Sequence, residues 1–296
     1  MNWTTRTATM AVMLGACCFS ATGAADGAGN GTAAPVEHNS TGAVTAPSPA
    51  AELAAFADGP WKGMNAVYQG RLYDATLDAK GSVVLYPKDK GERVGKPIVL
   101  AFGCHYYDPV KKNTVVRPIA EVSAAPPQVL ARSGSVKLTG RFADDVRFTV
   151  DLRFTETAVA IEGEIKDPAG LTPASNLGYH AHVQPTHNPP AEMALEQIKA
   201  LMPDWTLVLT PMKGKTQILP YWKSLNPQGV ERAQIRGPWG ARQVTIKAPG
   251  VIQRGTKVQV AGYLSIYQGF AAYTGFYVGR AGTSEQEAGE LIVSFE

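Results

Sequence analysis

Strict alternation of apolar and polar residues is the feature that most constrains the fold of this 296-residue chain. Residues 146–154 read VRFTVDLRF, with an apolar residue at every even position and a polar residue between each pair. Successive side chains of a strand point to opposite faces, so this pattern predicts a strand with one buried and one solvated face. After a turn near Glu156 the alternation continues to Ile165, and the two segments together predict a β-hairpin.

The same alternation recurs along the rest of the chain. It marks segments with these apolar sets: Val136/Leu138, Val244/Ile246, Val258/Val260/Leu264/Ile266 and Leu291/Val293/Phe295. Nearer the start, RLYDATLD (71–78) and GSVVLYP (81–87) flank a short turn and predict a second hairpin. The chain is therefore predicted to be a series of antiparallel strands.

One segment departs from this pattern and predicts a helix. Between Ala191 and Met202 the apolar residues recur at the i, i+3, i+4, i+7 spacing of a helix that lies on the fold. Asn188 and Pro189 suit the cap and first turn of this helix. Many strands and one peripheral helix predict an all-β fold, a large antiparallel β-sandwich of two packed sheets.

Residues 1–25 are typical of an export signal. Arg6 precedes the uncharged run TATMAVMLGA, which is too short to span a bilayer as a stable helix. The segment LGAC, from Leu14 to Cys17, resembles a bacterial lipobox and predicts a lipid on Cys17, whereas the small residues at 21–25 offer ordinary cleavage sites. We favour the lipoprotein, because the segment that follows has the composition of a tether.

That tether is predicted at residues 26–59, which are rich in Ala, Gly, Pro and Thr and contain little that could be buried. A single β-sandwich domain is predicted at residues 60–296. This organisation indicates an exported protein of the periplasm or cell envelope, attached to a membrane through its N-terminal lipid.

Charge and cysteine content exclude two classes of protein. The chain has 28 basic and 25 acidic residues and a net charge of +3, and no run of Lys or Arg alternates with aromatic residues. Nucleic acid is therefore not expected as a partner. Of the three cysteines, Cys17 and Cys18 lie in the signal, so Cys104 alone belongs to the domain and no disulfide framework is expected.

Three of the five histidines lie in the segment NLGYHAHVQPTHNPP, residues 176–190. If this segment is a strand, its apolar residues face the core, and His180 and His182 share the opposite, polar face. Such a pair suits three roles: contacts to a sugar or to a reacting group, zinc ligands completed by a third residue, or polar side chains on a solvated face. If the two histidines are sugar contacts, we expect their removal to change stability little, because neither side chain fills the core. The direction of His187 is not predicted.

The segment FGCHYYD places Cys104 beside His105. Neighbours on a strand point to opposite faces, so these two side chains are not expected to form a nucleophile and base pair. Cys104 continues the apolar row of Ile98, Leu100 and Phe102, and we expect a buried thiol. His105 is then either a residue of a surface cleft or a structural histidine.

Aromatic residues accompany Arg and His in the later part of the chain. Trp239 and Arg236 lie in RGPWGAR, Trp222 lies in PYWKS, and Tyr263 and Tyr267 fall on the polar side of their predicted strand. Exposed aromatic rings bordered by polar groups are typical of sugar sites. The alternative is that the two tryptophans fill the ends of the sandwich.

The stretch from 146 to 183, VRFTVDLRFTETAVAIEGEIKDPAGLTPASNLGYHAHV, resembles the central part of galactose mutarotase-like proteins, the aldose epimerases and their relatives. The resemblance implies a sandwich with a carbohydrate site on a concave face, with His180 at the catalytic histidine and His105 at a second one. Asp167 stands where the family usually has Asn. The family's carboxylate base lies on a late strand, and the matching VAGYLSIYQGF offers Tyr267 and Gln268 instead.

These observations predict an exported protein that binds carbohydrate on a concave face, without a cofactor and without a metal. The predicted catalytic residue is His180, and the predicted sugar contacts are His105, His182, Arg236, Trp239 and Tyr267. Two other classes remain open at this point: a metal-dependent enzyme built on the HxH pair, and a structural envelope protein without a small ligand.

Overall fold

The structure is a computed structural model that describes residues 54–168, 176–183, 193–223, 230–248, 256–267, 270–280 and 285–296. The predicted signal with Cys17, most of the predicted tether, and the residues His187, Asn188 and Pro189 lie outside the described residues. No helix in the described part is long and apolar enough to cross a membrane.

The described residues form strands that are numbered here in chain order. They are β1 (Met64–Gln69), β2 (Tyr73–Asp78), β3 (Val83–Asp89), β4 (Glu92–Arg93), β5 (Ile98–Asp108), β6 (Asn113–Arg117), β7 (Ile119–Ala124), β8 (Gln128–Leu130), β9 (Gly134–Phe142), β10 (Arg147–Phe154), β11 (Ala158–Lys166), β12 (Asn176–Val183), β13 (Thr206–Pro211), β14 (Gln217–Pro220), β15 (Val230–Gly237), β16 (Gly240–Lys247), β17 (Thr256–Tyr267), β18 (Phe270–Arg280) and β19 (Glu285–Phe295). A 3-10 turn (Ala143–Asp145) precedes β10, and helix α1 (Leu195–Ala200) precedes β13.

These strands build two sheets, and the predicted all-β sandwich is confirmed. The ten-stranded sheet has the order β17-β18-β12-β5-β3-β2-β1-β8, with β4 beside β3 and β6 beside β5. The nine-stranded sheet has the order β14-β13-β15-β16-β19-β11-β10-β9-β7. The pairings are antiparallel apart from that of β1 with β8. Since β12 pairs with β5 and β18, the histidine segment lies inside the ten-stranded sheet rather than at its edge.

Both predicted hairpins are present in the structure. Strands β10 and β11 pair in continuous antiparallel register from Arg147 opposite Lys166 to Phe154 opposite Val159. Strands β2 and β3 pair from Tyr73 opposite Pro87 onward. Period-two alternation was sufficient for these elements because each strand buries one face against the partner sheet.

The core lies between the two sheets and is closed by stacked aromatic rings. Tyr73 stacks on Tyr68 at 4.8 Å and on Phe295 at 4.5 Å. The Tyr73 hydroxyl oxygen lies 2.7 Å from the carbonyl oxygen of Thr155 and 2.9 Å from that of Ala158, in the turn between β10 and β11. A residue of the ten-stranded sheet therefore fixes a hairpin of the nine-stranded sheet.

The predicted helix is shorter than expected. Residues 193 and 194 are not helical, α1 begins at Leu195, and the Gln197 side chain accepts a hydrogen bond from the backbone N–H of Ala194 at 2.9 Å. Ile198 and Met202 are fully buried against the sandwich, whereas Leu195 is about half exposed. The apolar stripe thus contributes two buried positions to the core instead of a continuous face.

The folded structure also begins a little before the predicted boundary at residue 60. Phe56 lies inside the predicted tether, yet it is buried and its ring lies 5.2 Å from that of Trp61. The hydrophobic contact between these two rings extends the structured part of the chain toward its N-terminus.

Candidate functional site

Three histidines lie on one face of the ten-stranded sheet, which we name the histidine face. His105 is on β5, and His180 and His182 are on the neighbouring strand β12. The alternate residues of the two strands point to the core, where Phe102 packs on Phe148 of the nine-stranded sheet at 5.1 Å. His105, His180 and His182 therefore point away from the partner sheet, as the sequence predicts.

Strand register brings two of these histidines together. His180 is paired with Ala101, so it lies four residues out of register from His105. Between them the pair formed by Gly103 and Gly178 has no side chains. The His105 ring lies over Gly103, where an added Cβ would stand only 3.1 Å from its Nε2 atom. The gap above two glycines is what allows the imidazoles to meet.

The contact between these rings joins Nε2 of His105 to Nε2 of His180 at 2.9 Å, which is hydrogen-bond distance. One of the two nitrogens must carry the hydrogen and the other must present its lone pair. A neutral imidazole has one nitrogen of each kind, so the two rings adopt opposite tautomers.

Burial keeps both imidazoles neutral. His105 is 7% exposed and His180 is 9% exposed. Loss of solvation lowers the pKa of His105 to about 4. Burial lowers the pKa of His180 well below its usual value, and the neighbouring His105 and His182 lower it further. At neutral pH the pair therefore holds one shared hydrogen and no charge.

His182 is the third member of the cluster and is half-buried. Its ring centroid lies 5.8 Å from that of His180, with the ring planes inclined at 63°. Burial lowers its pKa to about 4. The alternative of polar side chains on a solvated face does not fit His180, because this side chain is largely removed from water. The burial of His105 fits a structural histidine as well as a cleft residue.

The other predicted contacts do not join this cluster. Trp239 was expected to be exposed, but it is 1% exposed and its Nε1 donates to the carbonyl oxygen of Lys96 at 2.8 Å, so it fills the core. Arg236 is exposed on β15 of the other sheet, where its Nε donates to Gln243 at 2.5 Å. Tyr267 ends β17 at the edge of the ten-stranded sheet, and its side chain lies outside the described part.

Trp222 is partly buried rather than an exposed platform. Its ring is partly buried against the core, and the Lys199 ammonium lies 4.9 Å from the ring centroid. The positions of Trp222 and Trp239 fit the alternative in which the two tryptophans fill the ends of the sandwich. They do not fit exposed rings that bind a sugar.

A charged cluster on the histidine face was not predicted from the sequence. The Asp74 carboxylate accepts from Lys88 at 3.2 Å and from Arg93 at 3.0 Å. The Arg93 guanidinium lies 4.1 Å above the ring centroid of Tyr86. The only signal in the sequence was the set of polar residues on hairpin β2–β3, where Asp74 is paired with Tyr86.

The described residues contain no group of three or more His, Cys, Asp or Glu side chains arranged to hold a metal ion. Cys104 is fully buried on the core side of β5, as expected, and so cannot contribute to the histidine face. Asp167 follows β11 and is buried.

Comparison with known proteins gives structural similarity only. No protein-family model matches the chain, and no curated protein matches it. A galactose mutarotase-like protein from Lactobacillus casei ATCC 334 is similar with a TM-score of 0.47 and 9% identity, over 78% of this chain and 99% of that chain. A galactose mutarotase related enzyme from Lactobacillus acidophilus is similar with a TM-score of 0.42 and 10% identity, over 77% and 96% of the two chains.

The Slr1438 protein from Synechocystis sp. PCC 6803 is also similar in structure, with a TM-score of 0.44 and 9% identity, over 76% of this chain and 92% of that chain. The chain is thus remotely similar in structure to galactose mutarotase-like proteins, and the similarity is one of fold alone.

Proposed function

We propose that the histidine face binds carbohydrate, with His105, His180 and His182 as hydrogen-bonding contacts. The observation that carries this proposal is the meeting of His105 and His180 above Gly103, at 2.9 Å between their Nε2 atoms. Two neutral imidazoles with opposite tautomers present one donor and one acceptor to the same point. A sugar hydroxyl both donates and accepts, so it can take the place of each ring's partner.

The surroundings of the pair support a ligand with apolar as well as polar surface. Val84, Val99 and Ala101 are half-buried and lie on the same face. Sugar rings combine apolar ring faces with a rim of hydroxyls, and sites for small molecules are typically apolar surfaces with a few placed polar groups. The two histidines supply the polar groups of such a site, and the small apolar residues beside them supply its apolar surface.

The proposed activity is binding, because catalysis by the family's route requires a second group beside the histidine. Opening an aldose ring requires one group to take a proton and another to give one. Strand β17, which matches the late strand of the family, contains neither Asp nor Glu. If a bound sugar is turned over, we expect His180 to be the catalytic histidine, because the resemblance places it at the position of the family's histidine and its ring contacts both of the others.

We further propose that the protein is exported and attached to a membrane through a lipid on Cys17. The support comes from the lipobox-like LGAC segment and the Ala-, Gly- and Pro-rich residues after it. A glycan site on a tethered domain would reach material of the cell envelope. The proposed carbohydrate site does not depend on this anchor.

The test is titration of a glycan panel with the purified protein, including the predicted tether, together with metal analysis. His180→Ala and His182→Ala should each weaken binding by about 1 to 3 kcal/mol, the usual effect of leaving a buried polar partner unpaired. His38→Ala, in the predicted tether, is the matched control and should change nothing.

Two results would redirect the assignment. Stoichiometric zinc that is lost in both histidine variants would favour the metal-dependent enzyme. Absence of glycan binding by the unmodified protein would favour a structural role in the envelope.

A further inference from the structure

A second built feature of the histidine face is the stack of Arg93 on Tyr86. The Arg93 guanidinium carbon lies 4.1 Å from the centroid of the Tyr86 ring, within the range of a cation–π contact. Arg93 Nε also donates to Asp74 Oδ2 at 3.0 Å. The guanidinium therefore lies over an aromatic ring, and its Nε is held by a carboxylate.

The carboxylate that holds Arg93 is itself fixed. Asp74 is 7% exposed and also accepts from Lys88 Nζ at 3.2 Å. Lys88 Nζ in turn donates to the carbonyl oxygen of Gly70 at 3.1 Å. Two cations around one carboxylate leave one positive charge in excess. A guanidinium held in this way needs little reorganisation to bind an anion.

The neighbouring charges do not cancel this excess. Arg242 lies 3.5 Å from Asp89, and these two form a neutral pair. Glu92 adjoins Arg93 on β4, and alternation along the strand directs its side chain to the other face. The excess positive charge therefore remains on the side of the sheet where the histidines lie.

Strand register places this stack and the histidines on the same face. One row across the sheet runs through Thr76, Val84, Val99 and His182. Tyr86 lies two residues from Val84 along β3, on the same side. Strand spacing and rise place the Cα atoms of Tyr86 and His182 roughly 12 Å apart. A ligand longer than a single sugar ring is needed to reach both.

Arg93 offers donors to such a ligand. Its side chain is 54% exposed, and its two terminal nitrogens make no hydrogen bond within the described residues. A planar guanidinium fork matches the two oxygens of a carboxylate. We propose that Arg93, stacked on Tyr86, is an anion subsite of the histidine face, and that the ligand is an acidic oligosaccharide with a uronic acid carboxylate on Arg93. This proposal rests on carbohydrate binding at the histidines.

The experiment compares oligosaccharides of uronic acids with the same oligosaccharides after reduction of their carboxyl groups. The acidic and the reduced form of each oligosaccharide are titrated separately into the protein by calorimetry, for α-linked and for β-linked backbones. The unmodified protein should bind the acidic member of a pair about tenfold more tightly or better, as charge-assisted hydrogen bonds allow. Added salt should reduce this preference.

Three variants locate the preference. Arg93→Gln should remove it and leave affinity for the reduced form unchanged. Arg93→Lys retains the charge and the ion pair with Asp74 but loses the planar fork, and it should lose most of the preference. Arg141→Gln is the matched control, because Arg141 is equally exposed at 53% and pairs with Glu121 at 3.1 Å on the other sheet. Thermal unfolding shows whether each variant is folded. If Arg93→Gln does not fold, the result for Arg93→Lys decides whether the anion subsite exists.

The outcomes separate the two proposals. Equal affinity for acidic and reduced forms, with binding lost in His180→Ala, would overturn the anion subsite and leave the carbohydrate site intact. An acidic preference that survives in Arg93→Gln and Arg93→Lys would also overturn it. Absence of binding for every pair would overturn both proposals.

Discussion

At the scale of the residue, the central feature is the dependence of a histidine contact on a glycine. His105 and His180 are four residues out of register, and their rings meet only because Gly103 and Gly178 leave the space between them empty. Burial then keeps both rings neutral. The site is thus a property of two adjacent strands rather than of the HxH segment alone.

Opposite tautomers in this pair are the first prediction. At neutral pH, long-range proton–nitrogen NMR spectra of the imidazoles should show one ring of the His105–His180 pair protonated at Nε2 and the other at Nδ1. Gly103→Ala should shift both signals, because the added Cβ would lie 3.1 Å from His105 Nε2 and displace that ring. Identical tautomers, or unchanged signals in Gly103→Ala, would contradict the contact.

The second prediction concerns stability at acid pH. The folded pKa of His105 is about 4, below the 6.5 of an unfolded histidine, so between these values the unfolded state binds more protons. Stability should therefore be unaffected above pH 6.5 and should fall as the pH drops toward 4. The contribution of His105 reaches on the order of 3 kcal/mol over the whole window.

Chemical denaturation of the unmodified protein and of the His105→Gln/His180→Gln double variant at several pH values measures the joint contribution of the two histidines, to which the lowered pKa of His180 adds. Carboxylates titrate in both proteins, so their contribution cancels in the difference between the two unfolding free energies. If the unfolding free energies of the two proteins fall in parallel between pH 6.5 and 4, the histidines are not buried and neutral.

The sequence predicts the side of the strand for each histidine but not the contact between them. Alternation in NLGYHAHV assigns His180 and His182 to the face opposite the core, and the structure agrees. The pairing of His180 with Ala101 depends on how β12 registers with β5, and these strands are distant in the chain. Burial likewise depends on neighbouring residues, so the sequence does not indicate that the side chains of His105 and His180 are largely removed from water.

At the scale of the element, the tyrosine contacts across the core hold the two sheets together. The third prediction is that Tyr73→Phe destabilises the protein by about 1 to 2 kcal/mol, because the carbonyl groups of Thr155 and Ala158 lose a buried donor. Equilibrium denaturation with urea measures the change. Tyr86→Phe, on a half-buried position of the histidine face, is the matched control. Equal stabilities for the two variants would show that the Tyr73 hydroxyl does not fix the hairpin.

Strands with strict alternation of apolar and polar residues are predicted better than the helix, whose apolar stripe extends beyond its helical residues. Hairpins β2–β3 and β10–β11 follow the alternation directly. For helix α1, the apolar stripe from Ala191 continues through residues 193 and 194, which are not helical. Periodicity indicates that a helix is present, whereas its first residue depends on capping contacts such as that between Gln197 and Ala194.

At the scale of the whole molecule, the sandwich follows from the sequence and the strand order does not. Alternation on many segments requires two packed sheets. The placement of β12 between β5 and β18 results from long-range pairing, and it is this placement that puts three histidines within one sheet. The pairing of β3 with β2, β4 and β5 puts Asp74, Tyr86 and Arg93 on the histidine face, although no sequence motif joins them.

The fourth prediction concerns the N-terminus of the exported protein. If Cys17 is lipidated, mass spectrometry of protein recovered from membranes should identify a diacylated or triacylated Cys17 as the first residue. Cys17→Ser should release the protein into the soluble fraction. Recovery of an unmodified chain that begins near Ala25 or Asp26 would contradict lipid attachment.

The most direct test of the carbohydrate site is the NMR spectrum of the histidine rings recorded while an oligosaccharide is added. If the histidine face is the binding site, the ring signals of His105 and His180 should shift together and saturate at the same ligand concentration, with a smaller shift for His182. The ring of His38 should not move. Saturable binding that leaves the signals of His105 and His180 unchanged would contradict the assignment of the site to the histidine face.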